Sequence, residues 1–231
     1  MSKYNHIFFD LDHTLWDFKT NSRKMLETLF HEFDLARHGV DNHLQFITKY
    51  EEINEAFWAD YRKGAVDKKT LRNERFPRTL ATWEIGDREL AHALNEEYLK
   101  RSPQQSTLFP NALETLDYLM NKYDVHLITN GFKEVQATKL RSSKLDGYFK
   151  TITTSEDVGV LKPHPKVFHT ALNDANAETH DSIYVGDHFE SDVLGSKNVG
   201  MDQVFFNPEG DIHPPEATYE IKDLKELQDL F

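Results

Sequence analysis

The apolar residues of this chain follow two different periods, and the change of period divides the sequence. Near the start, Ile7, Phe8 and Phe9 form a continuous apolar run, which predicts a strand buried on both faces. From residue 16 to residue 108 the apolar residues recur at helical spacing, and no segment indicates a strand. From Phe109 onward, predicted strands alternate with predicted helices, which is typical of a parallel sheet with right-handed crossovers. The pattern therefore predicts an α/β core of residues 1–15 and 109–231 that carries an all-helical insert of residues 16–108.

The insert is predicted to contain four helices. They are expected at 20–37, at about 41–62, in a third segment capped by Asp67 and interrupted at Pro77, and at 88–100 behind an Asp87 cap. Trp58, Tyr61 and Phe76 can either pack in the core of the insert or stack on a bound base. We expect Arg62, Arg72 and Arg75 to lie on solvated helix faces.

The core is predicted to continue with four more strands after the insert. These strands are expected at 125–129, 151–154, 182–185 and 203–206, with helices at about 110–122, 133–144, 166–175 and 191–198 between or before them. In an open parallel sheet, ligands bind beyond the carboxyl ends of the strands. The residues that follow each strand are therefore the candidates for function.

Two carboxylates, Asp10 and Asp12, follow the first strand. Their i, i+2 spacing points both side chains the same way in an extended chain. Two like charges at the end of a buried strand repel each other and lose solvation, so they require a cation, a shared proton or a reaction. A surface turn with two solvated aspartates is the alternative, and the apolar strand leading into the pair disfavours it.

The other strand ends add polar groups of complementary kinds. Those groups are Thr129, Asn130 and Gly131 after the second strand, Lys162 in the loop after the third, and Asp187 with Asp192 after the fourth. Several carboxylates in one crevice favour a hard cation, and Mg²⁺ is the cation expected. Thr129 with the backbone N–H groups of Asn130 and Gly131 resembles an anion cradle, beside which Lys162 supplies a point charge. Such a combination is typical of phosphoryl transfer.

Composition narrows the classes of partner. The 231 residues carry a net charge of −12, which argues against a nucleic-acid polymer but not against a small anionic substrate. Disulfides and thiol catalysis are excluded because the chain contains no cysteine. Since we find no apolar stretch long enough to cross a membrane and no signal-peptide pattern, we expect a cytoplasmic protein.

The sequence resembles the haloacid dehalogenase-like superfamily at four motifs. Residues 10–14, Asp-Leu-Asp-His-Thr, match the first motif, and Thr129 matches the second. Lys162-Pro163 matches the third, and Gly186-Asp187 with Asp192 matches the fourth. The resemblance implies a Rossmann-like core with a helical cap of the C1 type. Residues 128–132, 155–160 and 190–192 further resemble the pyrimidine 5′-nucleotidase branch.

The resemblance also implies a role for each motif residue. Asp10 would attack phosphorus, and Asp12 would act as acid and then as base. Mg²⁺ would be held by Asp10, Asp187 and the backbone carbonyl of Asp12, with Asp192 orienting Lys162 or a water. Thr129 and Lys162 would bind the phosphoryl oxygens. The expected partner is a small phosphorylated metabolite, a nucleoside 5′-monophosphate with a pyrimidine base favoured, and Phe18, Trp58 and Tyr61 are the candidates for contacting it.

Four alternatives to a nucleotide phosphatase are weighed at the level of sequence. A sugar-phosphate phosphatase or a phosphomutase would use the same core. A non-catalytic binding protein is disfavoured because Asp10, Asp12, Lys162 and Asp187 are all present. A haloacid dehalogenase proper would have no need of the second acid, Asp12.

Overall fold

A computed structural model describes residues 3–231, and the chain separates into two compact units. The core unit contains the residues through Phe18 together with Ser106–Phe231, and the cap unit contains Lys19–Gln105. The expected boundary assigned Trp16 to the insert, whereas the structure buries Trp16 completely within the core unit. The reason is local, because the backbone of Trp16 forms isolated bridges with Asp12 and with Leu108.

The core unit is built on a six-stranded sheet in which every neighbouring pair of strands is parallel. The strands are β1 (His6–Phe9), β2 (Asp124–Thr129), β3 (Thr151–Thr154), β4 (Ser182–Gly186), β5 (Asp202–Phe206) and β6 (Tyr219–Ile221). Their order in the sheet is β3-β2-β1-β4-β5-β6, so the chain builds outward on both sides of β1. The predicted fold class is therefore confirmed, and β1 lies at the point where the strand order reverses.

Eleven helices occur in the described residues. They are α1 (Phe18–Glu32), α2 (His43–Arg62), α3 (Lys68–Asn73), α4 (Arg75–Ala81), α5 (Arg88–Arg101), α6 (Ala112–Met120), α7 (Lys133–Ser142), α8 (Ser155–Val158), α9 (Pro165–Ala175), α10 (Gly195–Lys197) and α11 (Leu227–Leu230). Asp67 and Asp87 cap α3 and α5 by accepting hydrogen bonds from backbone N–H groups of the first turn. None of the helices in residues 3–231 combines the length and the apolar character that a bilayer-spanning segment needs.

Side chains of β1 alternate between two apolar clusters on opposite faces of the sheet. Ile7 and Phe9 belong to the cluster that contains Trp16 and α6, whereas Phe8 packs with Phe168 of α9 on the other face. Burial on both faces explains why the sequence of β1 is continuously apolar. Since both faces are covered, a ligand can approach β1 only at its ends.

The cap unit has its own core, which includes a cation that the sequence analysis placed wrongly. Phe76 is fully buried there, as expected for a packing residue. Arg75 was expected on a solvated face, but only 6% of it is exposed, and it donates a hydrogen bond of 2.8 Å to Asn54. Its guanidinium lies 5.8 Å from the ring centroids of Tyr50 and Tyr98. These aromatic faces and the amide replace part of the lost hydration.

The last part of the core differs from the sequence-based expectation in two places. The strand β6 pairs with β5 after the polar loop of residues 207–218, and its three residues are too few to form a recognisable pattern. The helix expected at residues 191–198 begins earlier, as a wide helical turn at Phe189–Leu194 that continues into α10. That turn places Asp192 next to the end of β4.

Candidate active site at the carboxyl edge of the sheet

Residues at the ends of three adjacent strands converge because β2, β1 and β4 are neighbours in register. Phe9 pairs with Leu127 on one side and with Val185 on the other. Asp10 continues the ladder, since its N–H donates to the carbonyl of Val185 at 2.9 Å. Thr129 ends β2, and Asp187 directly follows β4. The structure thus brings together the strand-end residues that the sequence predicted.

Lys162 is the buried cation of this site. Only 2% of the residue is exposed, and its ammonium lies 2.7 Å from Asp10 Oδ1, 2.7 Å from Asp192 Oδ1 and 2.7 Å from Tyr184 Oη. Burial alone would lower the pKa of Lys162, but the charges of Asp10 and Asp192 outweigh it and raise that pKa. Lys162 is therefore protonated and bridges two carboxylates.

Asn130 holds the backbone of Lys162 in place. Its side-chain Oδ1 accepts from the Lys162 N–H at 2.7 Å, and its Nδ2 donates to the Lys162 carbonyl at 3.1 Å. The Gly131 N–H donates to Thr129 Oγ1 at 3.0 Å, so this N–H of the expected anion cradle already has a partner within the protein. The Asn130 side chain thus positions Lys162, a role that the sequence analysis did not assign to it.

Three carboxylates gather around Lys162. Oxygens of Asp10, Asp187 and Asp192 all lie within 4.8 Å of one another. Burial raises the pKa of Asp10 to about 7; Lys162 opposes this change and Asp192 adds to it. Burial and the neighbouring Asp192 and Asp10 also raise the pKa of Asp187 well above its ordinary value. One ammonium does not balance three carboxylates, and this oxygen donor set fits a hard divalent cation such as Mg²⁺.

Two contacts fix the acids that follow β4. Thr14 donates to Asp187 Oδ1 at 3.0 Å, and the His188 N–H donates to Asp192 Oδ2 at 3.1 Å. Asp192 packs so tightly on the strand end that a Cβ on Gly186 would lie 2.5 Å from Asp192 Oδ2. The glycine in the fourth motif is therefore required by this close approach.

Asp12 does not join the carboxylate cluster through its side chain. Its Oδ1 accepts from the Lys139 ammonium at 2.5 Å, and its Oδ2 accepts from Gln136 Nε2 at 2.7 Å. Burial would raise the pKa of Asp12, but the charge of Lys139 and the hydrogen bonds from Lys139 and Gln136 outweigh it and lower that pKa. The two acids of the first motif thus have different environments and opposite pKa shifts.

The sequence analysis missed both partners of Asp12. Gln136 and Lys139 lie on α7 at i, i+3 spacing, and together with Leu140 they form its buried stripe. The Lys139 ammonium lies 4.2 Å from the ring centroid of Trp16 and 5.3 Å from that of Phe18, which compensates for its burial. The sequence contained a signal for both residues. They are polar, yet they occupy positions where the buried face of an amphipathic helix is expected to be apolar.

Gln136 also explains a second glycine. A Cβ on Gly131 would lie 1.5 Å from Gln136 Nε2 and 2.9 Å from Gln136 Cγ. The other amide atom, Gln136 Oε1, is buried and has no hydrogen-bond partner among the described residues. The glycine therefore leaves room for the amide that holds Asp12, and that amide keeps one free acceptor.

The aromatic candidates for substrate contact lie in both units. Phe18 belongs to the core unit, where it packs against the apolar cluster and lies 4.9 Å from the His13 ring, centroid to centroid. Trp58 and Tyr61 belong to α2 of the cap unit, where they are half-buried and contact each other edge to face at 5.7 Å. Their contact with substrate stays a prediction.

Comparison with known proteins agrees with the geometry. The model of the haloacid dehalogenase-like hydrolase family matches residues 7–206. The chain is 32% identical over 235 residues to the pyrimidine 5′-nucleotidase YjjG of Escherichia coli, covering 99% of this chain and 98% of that protein. It is 31% identical over 245 residues to a glyceraldehyde 3-phosphate phosphatase of Pyrococcus furiosus, covering 100% of this chain and 94% of that protein.

A solved structure extends the similarity to three dimensions. The HAD-hydrolase YfnB of Bacillus subtilis, determined bound to magnesium, superposes with a TM-score of 0.88 at 26% identity. The superposition covers 99% of each chain. The similarity therefore extends over both the core unit and the cap unit.

Proposed function

Because this chain belongs to the haloacid dehalogenase-like hydrolases, as its four motifs predict, we propose that it is a magnesium-dependent phosphomonoesterase that acts through an aspartyl-phosphate on Asp10. The observation that carries the proposal is the separation of the two motif acids. Asp10 lies in a buried cluster with Lys162 and two further carboxylates, whereas Asp12 is held apart by its own cation, Lys139. The two acids have separate partners, which suits two separate roles, nucleophile for Asp10 and proton transfer for Asp12.

Asp10 forms and releases the covalent intermediate in this proposal. A carboxylate oxygen of Asp10 bonds to phosphorus while the bond from phosphorus to the leaving oxygen breaks. Water then attacks the aspartyl-phosphate, inorganic phosphate leaves, and the Asp10 carboxylate is regenerated. Lys162 and the Thr129 hydroxyl hold the phosphoryl oxygens, and Asn130 keeps Lys162 in position through its backbone.

Asp12 moves the proton in both half-reactions. It protonates the leaving alkoxide in the first step and takes the proton of the attacking water in the second. Lys139 and Gln136 each hold one carboxylate oxygen, so they fix the orientation of the group that carries this proton.

The carboxylate cluster would hold the metal ion. The residues for this are Asp10 and Asp187, together with the backbone carbonyl of Asp12 that the family resemblance implies; Asp192 lies within the same cluster. When bound, Mg²⁺ supplies positive charge that offsets the charge of the phosphoryl group. Thr14 orients Asp187 for this role, and Lys162 shares Asp10 and Asp192 with the site.

For the substrate we propose a nucleoside 5′-monophosphate, with a pyrimidine base favoured. The support is the 32% identity to a protein named as a pyrimidine 5′-nucleotidase and the aromatic side chains at Phe18, Trp58 and Tyr61. A small sugar phosphate is the second candidate, because a relative of 31% identity is named as a glyceraldehyde 3-phosphate phosphatase. Both candidates use the same phosphoryl chemistry in the core.

The test is the release of inorganic phosphate from a panel of nucleoside 5′-monophosphates, hexose phosphates and triose phosphates in the presence of Mg²⁺. We expect the highest kcat/KM with a pyrimidine nucleotide. A preference for a sugar phosphate would replace the nucleotide assignment, and no phosphate release from any member would contradict the phosphatase proposal. Isomerisation of a sugar phosphate that requires a bisphosphate activator and releases no inorganic phosphate would instead indicate a phosphomutase.

A further inference from the structure

A second cluster of metal-ligand side chains lies at the opposite edge of the sheet from the carboxylates. His6 begins β1, and Asp124 begins β2 directly across from it in the parallel register. His126 lies two residues further along β2. One ligand atom from each of the three side chains lies within 4.8 Å of the others. Asp10 follows the far end of β1, about 13 Å away at the rise of a strand.

His126 is held rigidly with one nitrogen facing this cluster. The residue is 1% exposed, and its ring stacks on Phe8 with centroids 4.6 Å apart. Its Nδ1 lies 2.8 Å from Thr151 Oγ1, while its Nε2 lies 3.2 Å from His6 Nδ1. With Nδ1–H donating to the threonine, Nε2 carries its lone pair toward His6. Histidines that ligate metals in proteins are oriented in this way by a hydrogen bond at the other ring nitrogen.

We propose that His6, His126 and Asp124 form a binding site for a divalent transition-metal ion of the Zn²⁺ type. The distance between the two ring nitrogens carries the inference. Two imidazoles on one tetrahedral zinc ion, each with a bond of about 2.0–2.1 Å, place their nitrogens about 3.3–3.4 Å apart. The 3.2 Å between His6 Nδ1 and His126 Nε2 is close to that spacing. A proton shared between the two rings is the competing occupant.

The ligand atoms of this site differ in kind from those of the carboxylate cluster. Two imidazoles and one carboxylate suit Zn²⁺, Co²⁺ or Ni²⁺, whereas an all-oxygen set suits Mg²⁺. Three protein ligands leave a fourth position for water. Thr151 fixes His126, and the two strands that supply the ligands are already paired, so the bound ion would tie the start of β1 to the start of β2.

One charge opposes the ion. Lys150 is an exposed residue whose ammonium lies 2.5 Å from Asp124 Oδ1, so it competes for the same carboxylate. Removing Lys150 should therefore strengthen metal binding, whereas removing a ligand should weaken it.

The experiment is calorimetric titration of tag-free protein with Zn²⁺ in excess Mg²⁺, which occupies the carboxylate cluster. A separate titration uses Co²⁺, because the visible spectrum of Co²⁺ shows whether the ion is coordinated in a site of low symmetry. We expect one Zn²⁺ per chain. His6→Ala should weaken binding by at least about tenfold, and Thr151→Val by about ten- to hundredfold, as loss of an orienting hydrogen bond does elsewhere. Lys150→Met should strengthen binding. Zn²⁺ should also raise the melting temperature of the wild type but not of His6→Ala.

A matched control comes from the cap unit. Glu27, His31 and His43 form another group of potential ligands on helices α1 and α2. His43→Ala should leave the titration unchanged. If His43→Ala abolishes binding, or if His6→Ala binds Zn²⁺ as tightly as the wild type, the assigned site is wrong. Absence of stoichiometric binding to the wild type would mean that the two histidines share only a proton.

Discussion

The ammonium of Lys139 lies 2.5 Å from the Oδ1 of Asp12, and the same lysine lies over the ring of Trp16. The two residues are 127 positions apart in the chain, so the contact exists only in the folded core. It fixes the orientation of the Asp12 carboxylate and lowers its pKa, which favours the ionised form that takes the proton of the attacking water. The function of Asp12 should therefore depend on a residue that no motif identifies.

Replacing Lys139 should impair the transfer of the proton more than the attack on phosphorus. We expect Lys139→Met to lower kcat/KM about ten- to hundredfold for alkyl phosphates, whose leaving group needs a proton, within the range of general acid catalysis. An aryl phosphate with a good leaving group should lose less than about threefold. Lys139→Arg should recover most of the alkyl activity.

The matched control for this measurement is Lys133→Met. Lys133 lies on the same helix but is exposed and pairs with Asp157 at 2.7 Å. Equal losses with both classes of substrate would show that Lys139 serves only the fold of the core.

Removal of the metal should stop the reaction. Chelation is expected to abolish phosphate release and added Mg²⁺ to restore it, because three carboxylates face a single ammonium. Asp187→Asn should raise the Mg²⁺ concentration for half-maximal activity by at least about tenfold. Glu190→Gln, at an exposed position nearby, is the control that should leave this concentration unchanged. Full activity in excess chelator, with metal content measured as negligible, would overturn the metal assignment.

The aromatic residues of the cap unit should determine base preference if the substrate is a nucleotide. Stacking of a base on an aromatic ring contributes about 1–3 kcal/mol, so Trp58→Ala or Tyr61→Ala should raise KM for a pyrimidine nucleotide about ten- to hundredfold. KM for a hexose phosphate should change little, and it serves as the internal control. If both variants retain the wild-type KM for the nucleotide, Trp58 and Tyr61 do not contact the base.

Acid should destabilise the metal-free protein through His126. Burial and, to a smaller extent, the charges of His6 and Lys150 lower the pKa of His126 from the ordinary 6.5 to about 4, while Asp124 opposes them. Between these values the unfolded chain binds a proton that the folded state rejects, so the contribution of His126 to stability is present above pH 6.5 and is lost as the pH falls toward 4.

Urea unfolding in the presence of a chelator tests the predicted direction of this change in stability. From about pH 7 to about pH 5 the free energy of unfolding should fall about 1–2 kcal/mol more in the wild type than in His126→Asn. The comparison isolates His126, because the other titrating groups are common to both proteins. An equal fall in the two proteins would show that His126 is not the group responsible.

The sequence predicted the parts of the molecule whose signal is local. The apolar run of β1 stops at Asp10, and the rule that ligands bind beyond strand ends brought Thr129, Lys162, Asp187 and Asp192 into one region. Aspartates at helix starts were recognisable because capping involves residues only a few positions apart.

The parts that could not be predicted depend on contacts between distant segments. Gln136 and Lys139 are polar residues on the face of α7 that is expected to be buried, but only the packing of α7 beside Asp12 supplies their partner. Arg75 likewise reads as a solvated cation, and only the packing of α2 and α5 supplies its aromatic neighbours Tyr50 and Tyr98. Periodicity shows which face of a helix is buried, but it does not show which polar residue finds a partner there.

The covalent step on Asp10 is the central claim, and trapping the enzyme during turnover tests it most directly. Wild-type enzyme with Mg²⁺ and its best substrate is quenched in acid, and the peptide containing Asp10 is analysed by mass spectrometry. We expect this peptide to carry one phosphoryl group that hydroxylamine removes, and Asp10→Asn to fold normally but lose at least about a hundredfold in turnover. Rapid phosphate release without a phosphorylated Asp10 peptide, together with an active Asp10→Asn variant, would contradict the mechanism.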